Sequence, residues 1–183
     1  MTRLISLRDA RTPGFERGRS LPVFLLWLVV QELLVYNPLQ LSSSLRAWAL
    51  RCFGARIGRG VVMRQRLRVR HPWKLSIGDD CWIGEGVWID NHGWVRIAND
   101  CVVSQEAYLT TGSHRLGTNM DLRIADIRLE PGVWITARAM VLQGSVLRRN
   151  AVVLPGSVFK GEGLEAWMYQ GNPALPVAER RFQ

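Results

Sequence analysis

The group best suited to move a proton is His114, which ends the run Thr111-Gly112-Ser113-His114 and opens a stretch without regular patterning. An imidazole with an ordinary pKa of about 6.5 can take the proton from an alcohol as the oxygen attacks. Three carboxylates are candidates to orient it: Asp121 and Asp126 in the same stretch, and Glu106 before it. The residue directly after His114 is Arg115, not an acid. A second polar run, Asp90-Asn91-His92, could line the same cleft; asparagine also tolerates the left-handed backbone of a tight corner. Cys52, Cys81 and Cys101 are widely spaced and form no CxxC pair. They read as buried small residues in a reducing compartment, not as a zinc site or a disulfide framework.

These groups must be held by one core, since 183 residues suffice for a single domain with a small appendage. The chain is 48% hydrophobic and 21% charged, with a net charge of +9 and 8 tryptophans. Such a charge raises nucleic acid as a partner. The arginines are scattered, however, and the densest group (Arg64, Arg66, Arg68, Arg70) alternates as one solvated face of a strand does. Nucleic acid is therefore not expected; phosphates of a cofactor or an anionic membrane surface fit the charge. Residues 21–30 (LPVFLLWLVV) are too few to span a bilayer and lack the cleavage site of a signal peptide. They read as a buried or interfacial helix with peripheral membrane contact open to it.

Residues 1–20 read as an irregular arm, residues 21–36 as a helix stopped by Asn37-Pro38, and residues 45–53 as a second helix. Ser42 to Ser44 offer caps for that helix and Gly54 its stop. From residue 56 an aliphatic residue recurs every six positions: Ile77, Ile83, Ile89, Val95; then Ile97, Val103, Leu109; then Leu129, Ile135, Val141, Leu147, Val153 and, as a large apolar equivalent, Phe159. Four residues after most of them stands a small or β-branched one, such as Cys81, Val87, Ala107, Ala139 or Ser157. A helix would walk such a period around its surface. A coil of short strands with tight corners keeps every sixth side chain inside, and such coils must stack, because none buries its inner face alone.

The domain organisation expected is an arm and helical cap over residues 1–55, a repeat solenoid over 56–160 with an inserted loop at about 112–126, and a tail over 161–183. Two-residue slips between Leu75 and Ile77, and between Val95 and Ile97, read as bulges at corners. The loop reads as a projection from one face, often the functional one.

The hexapeptide beat, the Thr111-Gly112-Ser113-His114 element and Tyr169-Gln170-Gly171-Asn172-Pro173-Ala174 together resemble the hexapeptide-repeat acyltransferases. Phe53-Gly54-Ala55-Arg56-Ile57-Gly58, Trp73-Lys74-Leu75-Ser76-Ile77-Gly78-Asp79 and Trp88-Ile89-Asp90-Asn91 are most similar to the colanic-acid-type O-acetyltransferases of exopolysaccharide synthesis. The resemblance covers residues 20–178. It implies an all-β fold, a left-handed parallel β-helix assembled as a homotrimer, with active sites between neighbouring subunits and acetyl-CoA lying along the coils.

It further implies that His114 is the general base for attack of a sugar hydroxyl on the thioester. Asn91, flanked by Asp90, falls where relatives contact the acceptor. Trp134 and Ala137 fall where relatives flank the thioester, Ala137 through its backbone N–H. Pro155 and Lys160 match positions facing the pantetheine and the nucleotide phosphates, although proline has no N–H to give. Arg180 and Arg181 could also meet the nucleotide. Trp73, Trp82, Trp88, Trp94 and Trp134 read first as large residues on coil faces or at a subunit interface, and only second as sugar platforms. No metal is expected: a γ-type carbonic anhydrase needs two zinc-binding histidines close in sequence, and His71, His92 and His114 are 21 and 22 residues apart. The expected setting is the cytoplasm, with the inner membrane face as an option. Two other functions remain in view, a non-catalytic β-helix scaffold and an N-acetyltransferase acting on a nucleotide amino sugar.

Overall fold

The computed structural model describes residues 10–115 and 119–181. Within them the period of six becomes a left-handed parallel β-helix with three faces. The first face stacks Arg56–Ile57, Leu75–Ile77, Val95–Ile97, Ile127–Leu129, Val146–Leu147 and Glu162–Gly163. The second stacks Val62–Met63, Trp82–Ile83, Val102–Val103, Trp134–Ile135, Val152–Val153 and Trp167–Gly171, and Ala174–Glu179 folds back antiparallel on the last of these. The third stacks Arg68–Val69, Trp88–Asp90, Tyr108–Thr110, Met140–Val141 and Val158–Phe159. Pairing is parallel and in register, so Met63, Ile83, Val103, Ile135 and Val153 form one buried row and Val69, Ile89, Leu109, Val141 and Phe159 another. The coils continue past Phe159, with Gly163 and Tyr169 buried in the next turn.

The small residues four places on are buried at the corners, among them Cys81, Cys101, Ala107, Ala139 and Ser157. The tight corners carry a residue with positive φ, such as Asp80, Asp100, Arg138 and Asn150, whereas the longer ones at residues 70–74 and 90–94 do not. At Gly132 (φ +74) a Cβ would also sit 2.1 Å from Asn150 Oδ1 of the next coil. Cys52 departs from expectation: it is exposed on the cap, while Cys81 and Cys101 are buried.

An open solenoid end is a row of unpaired strand groups. Here α1 (Leu21–Val30) and α2 (Ser43–Cys52) cover it with side chains. Trp27 Nε1 donates to Val69 O at 2.8 Å, and Gln31 Oε1 accepts from Val69 N at 2.7 Å. Ser43 Oγ accepts from Met63 N at 2.8 Å, and Arg51 donates to Ile57 O at 3.0 Å. Arg46, fully buried, gives its guanidinium to the carbonyls of Val35, Met63 and Gln40. Desolvation pushes its pKa below the ordinary arginine value. The expected single helix over 21–36 is α-helical only to Val30 and continues as π-helical turns over Gln31–Tyr36, where Gln31 turns inward to the strand edge.

The outward-facing rows differ between faces. On the second, Val62, Trp82, Val102, Trp134, Val152 and Met168 stack into an unbroken apolar ladder. The third carries Trp88, Tyr108, Met140 and Val158 above Arg68. The first is polar and basic, with Arg56, Ser76, Arg96 and Arg128 in register.

Candidate active site

The slips expected between Leu75 and Ile77 and between Val95 and Ile97 are not bulges there: both stretches are regular strands, and the extra residues fall in the corners before them, between the third and first faces, where the inserted loop also lies. Residues 70–74, 90–94 and 110–126 make that crossing in successive coils, whereas residues 142–145 make it tightly further on. The extra length gathers His71, Asp90, His92 and His114 into neighbouring layers.

His114 ends the strand Gly112–His114, which pairs antiparallel with Leu122–Ile124 to form a projecting ribbon. Its side chain is exposed, and Nδ1 lies 2.7 Å from Met120 O. A carbonyl oxygen can only accept, so Nδ1 carries a hydrogen, and in the neutral ring the lone pair is on Nε2. None of the three candidate carboxylates orients this ring. Asp121 accepts from Arg11 N at 2.7 Å and from Asn119 Nδ2; Asp126 accepts from Trp94 N and pairs with Arg96; Glu106 pairs with Arg138 at 2.5 Å. The orienting group is a main-chain carbonyl, which has no signature in the sequence.

Asn91 does not face the cleft. Its side chain is wholly buried, accepts from His71 N at 2.9 Å and donates to His71 O at 2.7 Å and Lys74 O at 3.1 Å. The amide braces the corner, which corrects the acceptor-binding role expected of it. Asp90 beside it is half-buried. Its Oδ2 accepts from Tyr108 Oη at 3.2 Å, while Oδ1 lies 3.5 Å from Arg70 Nε and 3.8 Å from His92 Nε2. Asp90 Oδ1 and His92 Nδ1 are buried without a hydrogen-bond partner among the described residues. Burial holds His92 below its ordinary pKa, with Asp90 opposing and Arg70, Lys74 and His114 reinforcing the shift. His71, buried among Phe15, Phe24, Trp73 and His92, is pushed down to about 4 by desolvation. Burial also raises the Tyr108 phenol. Reading the sequence does not single out Arg70 or Tyr108 as partners of Asp90; Tyr108 is in register with Trp88, two residues before Asp90, and reaches it only through its long side chain.

The arm is irregular but laid along this corner. Leu122 N donates to Arg11 O at 3.0 Å, Trp73 Nε1 donates to Arg17 O at 2.5 Å, and Phe15 packs edge-on against His92.

Trp134, Ala137 and Pro155 come together elsewhere, at the corner between the second and third faces. They line a groove of about 450 Å³ with Thr136, Met168 and Arg180. Trp134 Nε1 is fixed by Ser104 Oγ at 2.8 Å. Arg180 is anchored on the carbonyls of Gly132 and Asn150 at 3.2 and 3.4 Å. A second hollow of about 530 Å³ shares Gln105, Ala137 and Pro155 and extends the groove towards Arg138 and Gly156. Lys160 lies apart from this groove. It follows Val158–Phe159 on the corner that carries His114, two coils further along. Arg181 is exposed beyond the hairpin. One subunit thus holds His114 and Lys160 on one edge and Trp134, Ala137 and Pro155 on another. Trp82, Trp88 and Trp134 stand exposed on the faces, and Trp73 is buried under the arm. Among the described residues, no group of three His, Cys, Asp or Glu side chains is placed to hold a metal ion.

No family model matches the chain. Over 169 residues it is 34% identical to WcaF of Escherichia coli (strain K12), named as a colanic acid biosynthesis acetyltransferase; the match covers 91% of this chain and 92% of WcaF. In fold it is similar to a hexapeptide-repeat-containing acetyltransferase of Vibrio cholerae O1 biovar eltor complexed with acetyl coenzyme A. That likeness has a TM-score of 0.81 at 18% identity, covering 97% of this chain and 100% of the other. It is also similar to a galactoside acetyltransferase in complex with coenzyme A, with a TM-score of 0.77 at 15% identity, covering 87% and 82%.

Proposed function

The chain belongs to the hexapeptide-repeat acetyltransferases, beside the colanic-acid type, and from that premise we propose that it transfers an acetyl group from acetyl-CoA to a sugar hydroxyl in exopolysaccharide or cell-surface glycan synthesis. The observation that carries the mechanism is the 2.7 Å contact of His114 Nδ1 with Met120 O, which leaves Nε2 as an outward-facing base on an exposed ribbon. Nε2 takes the hydroxyl proton while the oxygen bonds to the thioester carbon. The carbon–sulfur bond then breaks, and the imidazolium returns the proton to the CoA sulfur, so that an acetyl ester and CoA leave. We assign the oxyanion of that step to the backbone N–H of Ala137. Asp90, steadied by Tyr108 and Arg70, is the acceptor-side carboxylate.

The donor lies in the groove walled by Trp134, Ala137 and Pro155, its pantetheine following the hollow beyond Gln105. His114 stands on a different edge from that groove, so we infer a homotrimer in which the histidine edge of one copy meets the groove of the next. The apolar ladders on the second and third faces support this reading: six stacked outward residues without a charge make a face suited to a second copy. In that arrangement Lys160 meets the donor phosphates from the same edge as His114. The reaction is placed in the cytoplasm, in keeping with three unpaired cysteines.

The test is a calorimetric titration of acetyl-CoA into wild-type protein and His114→Ala, followed by thiol release with a panel of sugar acceptors. Saturable binding in both, with transfer in the wild type alone, is the expected result. Folded protein without any acetyl-CoA affinity would leave a scaffold as the better reading, and transfer confined to amino sugars would make it an N-acetyltransferase.

A further inference from the structure

A helix on a globular surface normally turns one apolar stripe inward and a polar one outward. In α1 both sides are apolar. Trp27 is packed on the end of the solenoid, while Leu21, Leu25, Leu26 and Val29 on the other side, and Leu33 just beyond, are each half or more exposed. Leu39 and Leu41, in the turn that leads to α2, are exposed still further. At the N-terminal end stand Arg17, whose guanidinium lies 5.6 Å from the Phe24 ring, and Arg19 just before the cap residue Ser20. At the far end Arg66 N donates to Tyr36 O while its guanidinium pairs with Glu85, and Arg68 donates to Tyr36 Oη at 2.8 Å on the third face. Arg17 and Arg19 have no carboxylate partner among the described residues. Glu32 is the single acid in residues 21–36.

We propose that this outer face of α1 is a docking surface for an anionic lipid bilayer, on which the helix lies flat with its leucines in the headgroup boundary and its arginines against lipid phosphates. Ten helical residues extend about 15 Å, half of a hydrocarbon core, and no described helix is long and apolar enough to cross a membrane. The helix therefore rests on the surface, where an apolar face flanked by basic residues binds. Charge selects the lipid over a second copy of the chain: a self-pairing of this face would set the arginines against their own equivalents, whereas anionic headgroups complement them. The surface is separate from the donor groove and from His114, so it stands or falls independently of the acetyl transfer.

The experiment is co-sedimentation of the full chain with vesicles of phosphatidylglycerol and phosphatidylcholine, and with vesicles of phosphatidylcholine alone. The triple variant Leu25→Gln, Leu26→Gln, Val29→Gln and the double variant Arg17→Gln, Arg19→Gln are run beside the wild type. Thermal melting and light-scattering mass are measured on each. Wild-type protein should bind the anionic vesicles. The triple variant should bind at least about tenfold more weakly with melting and mass unchanged, and the double variant roughly fivefold more weakly for each arginine removed. Three results would overturn the proposal: no wild-type binding to anionic vesicles, equal binding to neutral ones, or a smaller assembly in the triple variant, which would make this face a contact between copies.

Discussion

Replacing His114 by alanine separates chemistry from donor binding more cleanly than any other single change. The imidazole is exposed, and its bond to Met120 O is worth about 1 kcal/mol, so the fold persists. A positioned general base contributes about a hundred- to ten-thousand-fold, equivalent to about 2.7–5.5 kcal/mol of barrier. Transfer measured as thiol release at saturating acetyl-CoA should fall by that factor. The groove walls Trp134, Ala137 and Pro155 stand on another edge of the subunit, so the acetyl-CoA dissociation constant should move less than about threefold, or under about 0.7 kcal/mol. The reasoning is refuted if the variant turns over within about tenfold of wild type, or if donor affinity collapses together with the rate.

Other parts of the structure make separable predictions. Ala137→Leu fills the part shared by the two hollows with a side chain; acetyl-CoA affinity measured by calorimetry should fall more than about tenfold, while urea unfolding stays within about 1 kcal/mol, since Ala137 is only half-buried. Arg46→Met strands the buried carbonyls of Val35, Met63 and Gln40 and should cost about 3–5 kcal/mol in urea unfolding, far more than the same change at exposed Arg51. His71 has a folded pKa of about 4 against about 6.5 in the unfolded chain, so the unfolded state binds the extra proton between those values. Stability is then complete above about pH 6.5 and should decline by roughly 2–3 kcal/mol as pH falls towards 4, with half-buried His92 acting in the same direction. Unfolding curves taken across that window should slope less in His71→Gln.

The period of six made the faces of the solenoid legible, because a buried row is a property of every sixth side chain and survives any loop between rows. The groove walls came from the family resemblance and not from the period; the structure adds that Ala137 and Pro155 occupy equivalent corner positions of successive coils. What could not be read was the register between coils of unequal length. The slips near Leu75 and Val95 look like separate accidents along the chain, yet both fall at the corner from which the His114 ribbon springs. Asn91 was misread because a polar residue at a corner faces either way, and only the backbone groups of His71 and Lys74 beneath it decide. Lys160 stands at a different corner from Ala137 and Pro155, which a motif match could not reveal, since it carries no information on which edge of a three-sided coil a residue occupies.

The concentration of irregularity at one corner has a mechanical cause. An extra residue within a strand would shift every later side chain to the opposite side of the sheet. Added at a corner, it leaves the buried rows intact, provided the neighbouring coil has room at the same place. The first two lengthened corners supply that room: counted up to the paired positions Ser76 and Arg96 they run over residues 70–75 and 90–95, two longer than the tight 142–145, so Ile57, Ile77 and Ile97 stay aligned at intervals of twenty instead of eighteen. The third can then release a ribbon of antiparallel strands without tearing the first face, and Ile127–Leu129 pairs with Val95–Ile97 as if no insertion intervened. The same widening opens space for Asp90, His92 and the covering Phe15, which a tight corner would exclude. Shortening residues 90–94 by two should thus damage the His114 ribbon and the acceptor side together while leaving the donor groove, built wholly at another corner, able to bind acetyl-CoA.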